Sequence, residues 1–193
     1  GAVEIRDVDS GEKPFLYASG NWGPGYVSIK GLVSRRGVLL ALVKELAKKI
    51  VRADLDVGLV GGNVTGGMIP GWLLSEFLRT PYVYIRGTRK KGGQKEVITG
   101  LDLNSYLWED ARAGVTAIVV EELANFAQTT CYGALALREA GFTVEHAACI
   151  LFYDNPEAHK RLEKYGLKMH YLFTLPELID VAEKYRHFSY PVL

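Results

Sequence analysis

The stretch GVTAIVVEE at residues 114–122 decides the fold. Its β-branched run, Val115–Val120, follows a glycine and is typical of a buried central strand. Strand and helix signals alternate along most of the chain, and no internal repeat, low-complexity tract or linker interrupts them. Such alternation predicts βα units on a largely parallel sheet. The sequence therefore predicts an α/β fold built as a single domain over residues 1–193.

The remaining elements follow from hydrophobic spacing and from local start and stop signals. Apolar residues recur at helical spacing over Ser34–Arg52, with charged residues on the opposite face. Thr174 and Glu177 have the spacing of a capping box at the start of the last helix. Further helices are predicted at Met68–Leu78, from Thr129 to Ala140, at Pro156–Tyr165 and at Leu175–Tyr185, and further strands at Phe15–Ala18, Tyr26–Ile29, Val57–Val60, Tyr82–Arg86, Thr143–Phe152 and Met169–Phe173.

The composition limits the classes of partner. Lys plus Arg number 23 against 22 Asp plus Glu, so there is no overall basic field for duplex nucleic acid, and any anion site must be local. No apolar run approaches the roughly 18 residues that span a bilayer, and the N-terminus has no signal-peptide core. Cys131 and Cys149 lie in segments predicted to be buried. We therefore expect reduced core cysteines, a cytoplasmic protein and no membrane partner.

The first candidate site is the glycine-rich segment Gly61–Gly67, between a predicted strand and a predicted helix. Glycines let backbone N–H groups turn toward an anion, and a helix N-terminus adds a favourable dipole. The alternative is a tight turn that binds nothing. The segment matches neither a Walker loop nor a dinucleotide fingerprint. Its candidate phosphate ligands are Asn63, Val64, Thr65, Gly66 and Gly67.

The second candidate is the basic segment Arg86–Lys95, which interleaves five cations with glycines. Such a loop can fold over a polyanionic substrate and neutralise the charge that develops on a leaving group. The alternatives are a solvated hairpin tip and, with less support, contact with RNA. Arg86, Arg89, Lys90 and Lys91 are its candidate ligands.

The third candidate is the acidic pair Glu121 and Glu122, predicted to end the central strand. Adjacent carboxylates repel each other unless a cation, a metal or a sugar hydroxyl uses them. A phosphate bound just beyond them would face the N-terminus of the next helix. Two solvated surface glutamates are the alternative.

Taken in this order, the three segments resemble the type I phosphoribosyltransferases, specifically the orotate phosphoribosyltransferases, from about Phe15 to Tyr185. The resemblance rests on FLYASG at 15–20 with GPGYV at 23–27, GMIP at 67–70, PYVYIR at 81–86, IVVEE at 118–122 and ALREAG at 136–141. It implies a central, mostly parallel sheet flanked by helices, with a small N-terminal hood. The implied reaction joins phosphoribosyl pyrophosphate (PRPP) to orotate, giving orotidine monophosphate and pyrophosphate.

The resemblance also assigns roles. Glu121 and Glu122 would hold the ribose hydroxyls or waters on Mg²⁺, and the backbone of residues 63–67 would bind pyrophosphate. Lys90 would cover the leaving group from across a homodimer interface. Tyr26 and Tyr153 would border the base, whether orotate or another. Membership of a larger assembly is a further possibility.

One segment departs from the family. After the acidic pair the family has small hydroxyl residues and glycines, typically TTGGS, where this chain has NFAQT at 125–129. If that loop needs positive φ, each added β-carbon costs on the order of 1 kcal/mol. Lost donors would weaken PRPP binding, although Gln128, Thr129 and Thr130, together with Asn125, are candidate substitutes.

The sequence leaves three hypotheses open. The first is a divergent orotate phosphoribosyltransferase. The second is a catalytically degenerate paralogue with a nucleotide-sensing, regulatory or structural assembly role, and the third is a related transferase that uses another base, or contact with RNA through the basic segment.

Overall fold

A small antiparallel hood precedes the central sheet. The computed structural model describes residues 3–17, 20, 22–87, 97–100 and 114–185. Four short strands form the hood: β1 (Val3–Ile5), β2 (Phe15–Leu16), β3 (Trp22–Gly23) and β4 (Gly25–Val27). β1 pairs with β4, and β2 pairs with β3. A 3-10 helix, Ile29–Ser34, then leads into the first long helix.

Among the described residues, six strands form the central sheet, and they confirm the predicted α/β class. The strands are β5 (Leu59–Asn63), β6 (Tyr82–Ile85), β7 (Ile98–Thr99), β8 (Thr116–Ala124), β9 (Thr143–Phe152) and β10 (Lys168–Thr174). Their spatial order is β10-β9-β8-β5-β6-β7. Every neighbouring pair is parallel except β6 and β7 at one edge.

Helices cover both faces of this sheet. They are α1 (Arg36–Arg52), α2 (Met68–Leu78), α3 (Gln128–Glu139), α4 (Pro156–Lys164) and α5 (Leu175–Lys184). Side chains of β8 point alternately to the two faces. Ile118 and Val120 pack with the core residues of α1 and α2, whereas Ala117 and Val119 pack with those of α3 and α4. Burial on both faces explains why this strand is a continuous apolar run.

Several boundaries agree with the sequence prediction. Met68–Leu78 and Thr143–Phe152 begin and end as predicted. The capping box of α5 is also present: the Thr174 N–H donates to Glu177 Oε2 at 2.6 Å, and the Glu177 N–H donates to Thr174 Oγ1 at 3.3 Å. The two cysteines are buried and free. In the part of the chain that the structure describes, no helix is long and apolar enough to cross a membrane.

Two boundaries that matter for function were predicted wrongly. The strand predicted at Val57–Val60 lies at Leu59–Asn63, so the first three residues of the glycine-rich segment belong to the strand. They do so because each pairs with a residue of β6. The strand predicted at Val115–Val120 continues to Ala124, because its ladder with β9 continues that far. The acidic pair is therefore inside a strand and not in the loop beyond it.

The hood is more elaborate than the sequence indicated. The predicted strand Phe15–Ala18 is limited to Phe15–Leu16, and Ala18 lies outside the described residues. The strand predicted at Tyr26–Ile29 lies at Gly25–Val27, because the 3-10 helix begins at Ile29. β1 and β3 were not predicted.

Candidate active site

The described parts of the candidate segments lie at one edge of the sheet, where β5, β6 and β8 end. Ligands of open parallel sheets bind beyond the carboxyl ends of the strands. β5 pairs with both β6 and β8, so the ends of these three strands adjoin. α2 and α3 begin just after β5 and β8, so two helix N-termini open onto the same edge.

The turn after β5 comprises residues 64–67, here called the β5–α2 turn. Its last N–H, on Gly67, donates to Asn63 O at 2.9 Å, and the Val64 N–H donates to Ile85 O at 2.8 Å. The Thr65 and Gly66 N–H groups make no hydrogen bond within the described residues. A Cβ at Gly66 would overlap the Glu122 carboxylate. The glycines therefore serve a close approach to β8 while two backbone donors stay available.

The two adjacent glutamates have different environments because successive strand residues point to opposite faces. Glu121 is only 5% exposed, and its Oε1 accepts from Asn63 Nδ2 at 2.7 Å. Burial raises the pKa of Glu121 to about 7, against the opposing effect of hydrogen bonds from Asn63 and Thr129. Glu122 lies on the α2 face, where its Oε1 is 3.4 Å from Lys30 Nζ. Glu122 is therefore the more accessible carboxylate.

Asn63 joins the end of β5 to the start of α3. Besides Glu121, its Nδ2 donates to Thr129 O at 2.9 Å. A Cβ at Gly133 would overlap the Asn63 amide, so that glycine leaves room for it. The sequence predicts a phosphate contact for the backbone of Asn63, and the structure shows that its side chain is buried and holds β5, β8 and α3 together.

The segment before α3 shows the strain that the sequence analysis considered. Ala127 has a φ of 53° and is the N-cap of α3, with no side-chain cap. The loop is held from outside: Asn155 Nδ2 donates to Asn125 Oδ1 at 3.3 Å, and Arg161 donates to Phe126 O. A left-handed conformation costs about 1 kcal/mol in a residue with a Cβ.

Among the predicted substitute donors, Gln128 and Thr129 are exposed at the first turn of α3, whereas the Thr130 side chain is fully buried. Of the basic segment, Arg86 is anchored on the sheet, where its Nη2 donates to Tyr84 Oη at 3.0 Å. Arg89, Lys90 and Lys91 lie outside the described residues.

Two of the cavities at this edge reach the start of α3. The smaller, of about 240 Å³, is lined by Asn63, Val64, Ile85, Gly87, Gln128, Thr129 and Tyr132. The larger, of about 570 Å³, lies beneath the hood and is lined by Val3, Ile5, Tyr17, Gly25, Tyr26, Val27, Asn125, Phe126, Gln128, Tyr153, Leu175 and Ile179. Gln128 borders both cavities. The two tyrosines predicted to border a base, Tyr26 and Tyr153, thus line the same cavity.

Sequence reasoning missed Lys30 and Gly133. Lys30 follows the hood and lies far along the chain from Glu122, and no local motif marks it. Gly133 is one glycine within a helix, and only the position of the Asn63 amide explains it. In both cases the signal is a tertiary contact.

This architecture, with a hood, two helix starts that lack side-chain caps and an acidic pair near the end of β8, defines the class: it is the type I phosphoribosyltransferase fold. The crystal structure of orotate phosphoribosyltransferase from Aeropyrum pernix matches with a TM-score of 0.71 at 24% identity, covering 98% of this chain and 95% of that one. The structure of Leishmania donovani UMP synthase matches with a TM-score of 0.77 at 19% identity, covering 99% of this chain and 37% of that one.

Curated relatives give the particular family. The orotate phosphoribosyltransferase of Rhizobium meliloti (strain 1021) is 31% identical over 192 residues, covering 94% of this chain and 76% of that protein. That of Listeria monocytogenes serotype 4b (strain F2365) is 30% identical over 170 residues, covering 88% and 77%. No protein-family model matches the sequence. The chain belongs to the orotate phosphoribosyltransferase family.

Proposed function

We propose that the protein transfers the phosphoribosyl group of PRPP to a ring nitrogen of orotate, giving orotidine monophosphate and pyrophosphate. The observation that carries this proposal is the meeting of two uncapped helix starts with Glu122 at one edge of the sheet. Relatives named for this reaction support it. A structure of the same fold also supports it, the Mycobacterium tuberculosis H37Rv orotate phosphoribosyltransferase in complex with PRPP. It matches with a TM-score of 0.63 at 17% identity, covering 86% of this chain and 90% of that one.

The two helix starts suit the two anionic ends of PRPP. The N-cap residues of α2 and α3 are Gly67 and Ala127, and neither provides a side-chain cap. The first backbone N–H groups of a helix lack intrahelical partners, and the helix dipole favours an anion there. We assign the pyrophosphate to the β5–α2 turn and the 5′-phosphate to the start of α3, with Gln128 and Thr129 as side-chain donors.

Glu122 is the carboxylate that we assign to the ribose hydroxyls or to waters on Mg²⁺. The described residues contain no group of three or more His, Cys, Asp and Glu side chains that could hold a metal. Mg²⁺ is commonly bound through one or two carboxylates together with substrate phosphates, and this donor set fits that chemistry. When bound with PRPP, Mg²⁺ would neutralise charge on the leaving group. Glu121 lies on the other, buried face of β8, where its hydrogen bond with Asn63 joins β8 to the end of β5.

The cavity beneath the hood is the proposed place for the base. Tyr26, Phe126 and Tyr153 offer aromatic surface to a planar ring, and the Asn125 and Gln128 amides are its polar groups. Because Gln128 also borders the smaller cavity, a ring here would lie next to a ribose bound at the strand ends.

In the transfer, the bond from C1′ to the pyrophosphate oxygen breaks, the bond from C1′ to the ring nitrogen forms, and the proton of that nitrogen passes to the departing pyrophosphate or to solvent. The chain's own contribution would be positioning, charge neutralisation and exclusion of water. We propose that Lys90 covers the pyrophosphate from the neighbouring subunit of a homodimer, and that residues 1–193 form a single phosphoribosyltransferase domain.

The departure of residues 125–129 from the family pattern supports a second candidate function. Phe126 is 42% exposed and lines the larger cavity, where the family typically has a hydroxyl residue. A chain that binds nucleotide there without turnover would have a sensing, regulatory or assembly role.

Calorimetry and an orotate-consumption assay separate the two functions. Titration of PRPP with Mg²⁺ should give saturable heat that Glu122→Ala abolishes, and orotate absorbance should fall. An absence of heat at millimolar PRPP would contradict the transferase. Saturable binding without orotate consumption would favour the second candidate.

A further inference from the structure

Lys30 is a cation held at a fixed place beside the β5–α2 turn. It belongs to the 3-10 helix Ile29–Ser34, whose Ile29 and Leu32 side chains are buried in the core. The helix start is capped, because Ser28 Oγ accepts from the Gly31 N–H at 3.3 Å. The backbone of Lys30 is thus anchored, and its side chain is 60% exposed.

The surroundings of Lys30 are those of the proposed pyrophosphate subsite. Its Nζ lies 3.4 Å from Glu122 Oε1. Lys30 and Glu122 line a small cavity of about 130 Å³ together with Thr65 and Gly66. The β5–α2 turn itself has only uncharged residues, so Lys30 brings a positive charge that this turn lacks.

We propose that Lys30 binds the pyrophosphate group of PRPP, exchanging its contact with Glu122 for a contact with a phosphate oxygen. This inference rests on the proposed function and adds a ligand to the same site. The exchange releases Glu122 for the ribose or for waters on Mg²⁺. In the free protein, Lys30 compensates the charge of a carboxylate that is only 13% exposed.

The exchange is physically reasonable because the present ion pair is weak. A salt bridge with a mostly exposed lysine contributes little, since solvent screens it. Pyrophosphate has more negative charge and more acceptor oxygens than one carboxylate, and charge-assisted hydrogen bonds to phosphate are strong. Glu122 would not be left unpaired, because PRPP brings Mg²⁺ with it.

The test measures binding of inorganic pyrophosphate with Mg²⁺, and kinetics with PRPP, for Lys30→Met, Lys30→Arg and wild type. Lys44→Met is the control, because Lys44 is an exposed lysine on α1. We expect Lys30→Met to weaken pyrophosphate binding and raise the KM for PRPP by about tenfold or more. The KM for orotate should stay within about twofold, and Lys30→Arg should recover most of the loss.

Pyrophosphate affinity of Lys30→Met within about twofold of wild type would overturn the assignment. An equal loss of pyrophosphate and orotate affinity, with a lower Tm, would also overturn it, because that result indicates a structural role only. If wild type itself does not bind PRPP, the proposed function fails and this assignment fails with it. A failure confined to Lys30 leaves PRPP binding by wild type intact, so the two failures are distinguishable.

Discussion

Helices α2 and α3 begin differently from helices α4 and α5. At α4, Asn155 Oδ1 accepts from the Glu157 N–H at 2.9 Å, and α5 begins with the capping box of Thr174 and Glu177. At α2 and α3, the N-cap residues Gly67 and Ala127 provide no side-chain cap. A side-chain cap contributes about 1 kcal/mol to stability. The start of α1 at Arg35 also lacks a side-chain cap, but only at α2 and α3 would such a cap compete with an anion bound at the candidate site.

The same two starts contain the unusual backbone features. Gly67 approaches Val120 so closely that a Cβ would overlap its carbonyl oxygen, and Ala127 has a positive φ. A positive φ also occurs beside a capped start, because Asp154, just before Asn155, has a φ of 56°. The missing side-chain caps, and not the backbone angles, therefore distinguish α2 and α3 from α4 and α5, and this comparison can be tested at either kind of helix start.

The largest effect is expected for Gly67→Ala. The new methyl group would overlap the Val120 carbonyl oxygen, which is backbone and cannot rotate away. We expect the free energy of unfolding to fall by about 3 kcal/mol, measured by urea denaturation, together with loss of PRPP binding. Gly37→Ala is the matched control, because a Cβ there meets open space within α1. A loss no greater than that of the control would contradict the close approach.

The next effect concerns Glu121 and pH. Because burial raises its pKa to about 7, the folded state holds a proton that the unfolded state loses near pH 4.5, so stability falls as pH rises from about 5 to 8. His146 and His170 act in the opposite direction, since their pKa values are lowered by burial. We therefore compare wild type with Glu121→Gln.

The stability advantage of the Gln variant should grow between pH 5 and pH 8 by up to about 3 kcal/mol, as followed by denaturation at each pH. This result would show that the acid behind the start of α3 is destabilising when ionised. A stability difference between wild type and the Gln variant that stays constant from pH 5 to pH 8 would contradict a raised pKa of Glu121.

A smaller effect is expected from replacing the segment before α3. The combined change Asn125→Thr, Phe126→Thr, Ala127→Gly and Gln128→Gly removes two β-carbons and restores hydroxyl donors. PRPP affinity, measured by calorimetry, should rise by about tenfold. Equal affinity before and after the change would mean that the native segment already closes around the phosphate.

The smallest effect is expected at a capped start. Thr174→Ala removes the hydroxyl that accepts from the Glu177 N–H, and it should lower the free energy of unfolding by about 1 kcal/mol without altering PRPP affinity. Thr174→Ser keeps the hydroxyl and should lose less. A change in PRPP affinity of the alanine variant would remove the distinction between the two kinds of helix start.

Much of the fold could be predicted because it depends on local pattern. Thr143–Phe152 ends in the apolar run Ala147–Phe152, and Met68–Leu78 lies between Gly67 and the pair Thr80 and Pro81. The predicted strand at Val57–Val60 was displaced because glycines lower strand propensity, although pairing with β6 keeps Gly61 and Gly62 in the sheet. Tertiary pairing decided that boundary, and sequence alone does not contain it.

The candidate site could be predicted only in outline. The order of the loops located the site at one edge of the sheet, but the two glutamates were treated as a pair at the end of the strand. Since β8 extends past them, they point to opposite faces: Glu121 toward Asn63 and α3, and Glu122 toward Lys30 and Gly66. The placement of the two glutamates on opposite faces depends on where β8 ends. The contact of Lys30 with Glu122 depends on the tertiary position of the 3-10 helix that follows the hood.

The most direct test of the central claim is a backbone-amide NMR titration of the ¹⁵N-labelled protein with Mg²⁺ and PRPP. The account predicts that the amides of residues 65–66 and 128–129 shift and become protected from hydrogen exchange, while those in the first turns of α4 and α5 do not change. Equal changes at all four helix starts, or none at α2 and α3, would contradict the claim that the uncapped starts bind the two anionic ends of the substrate.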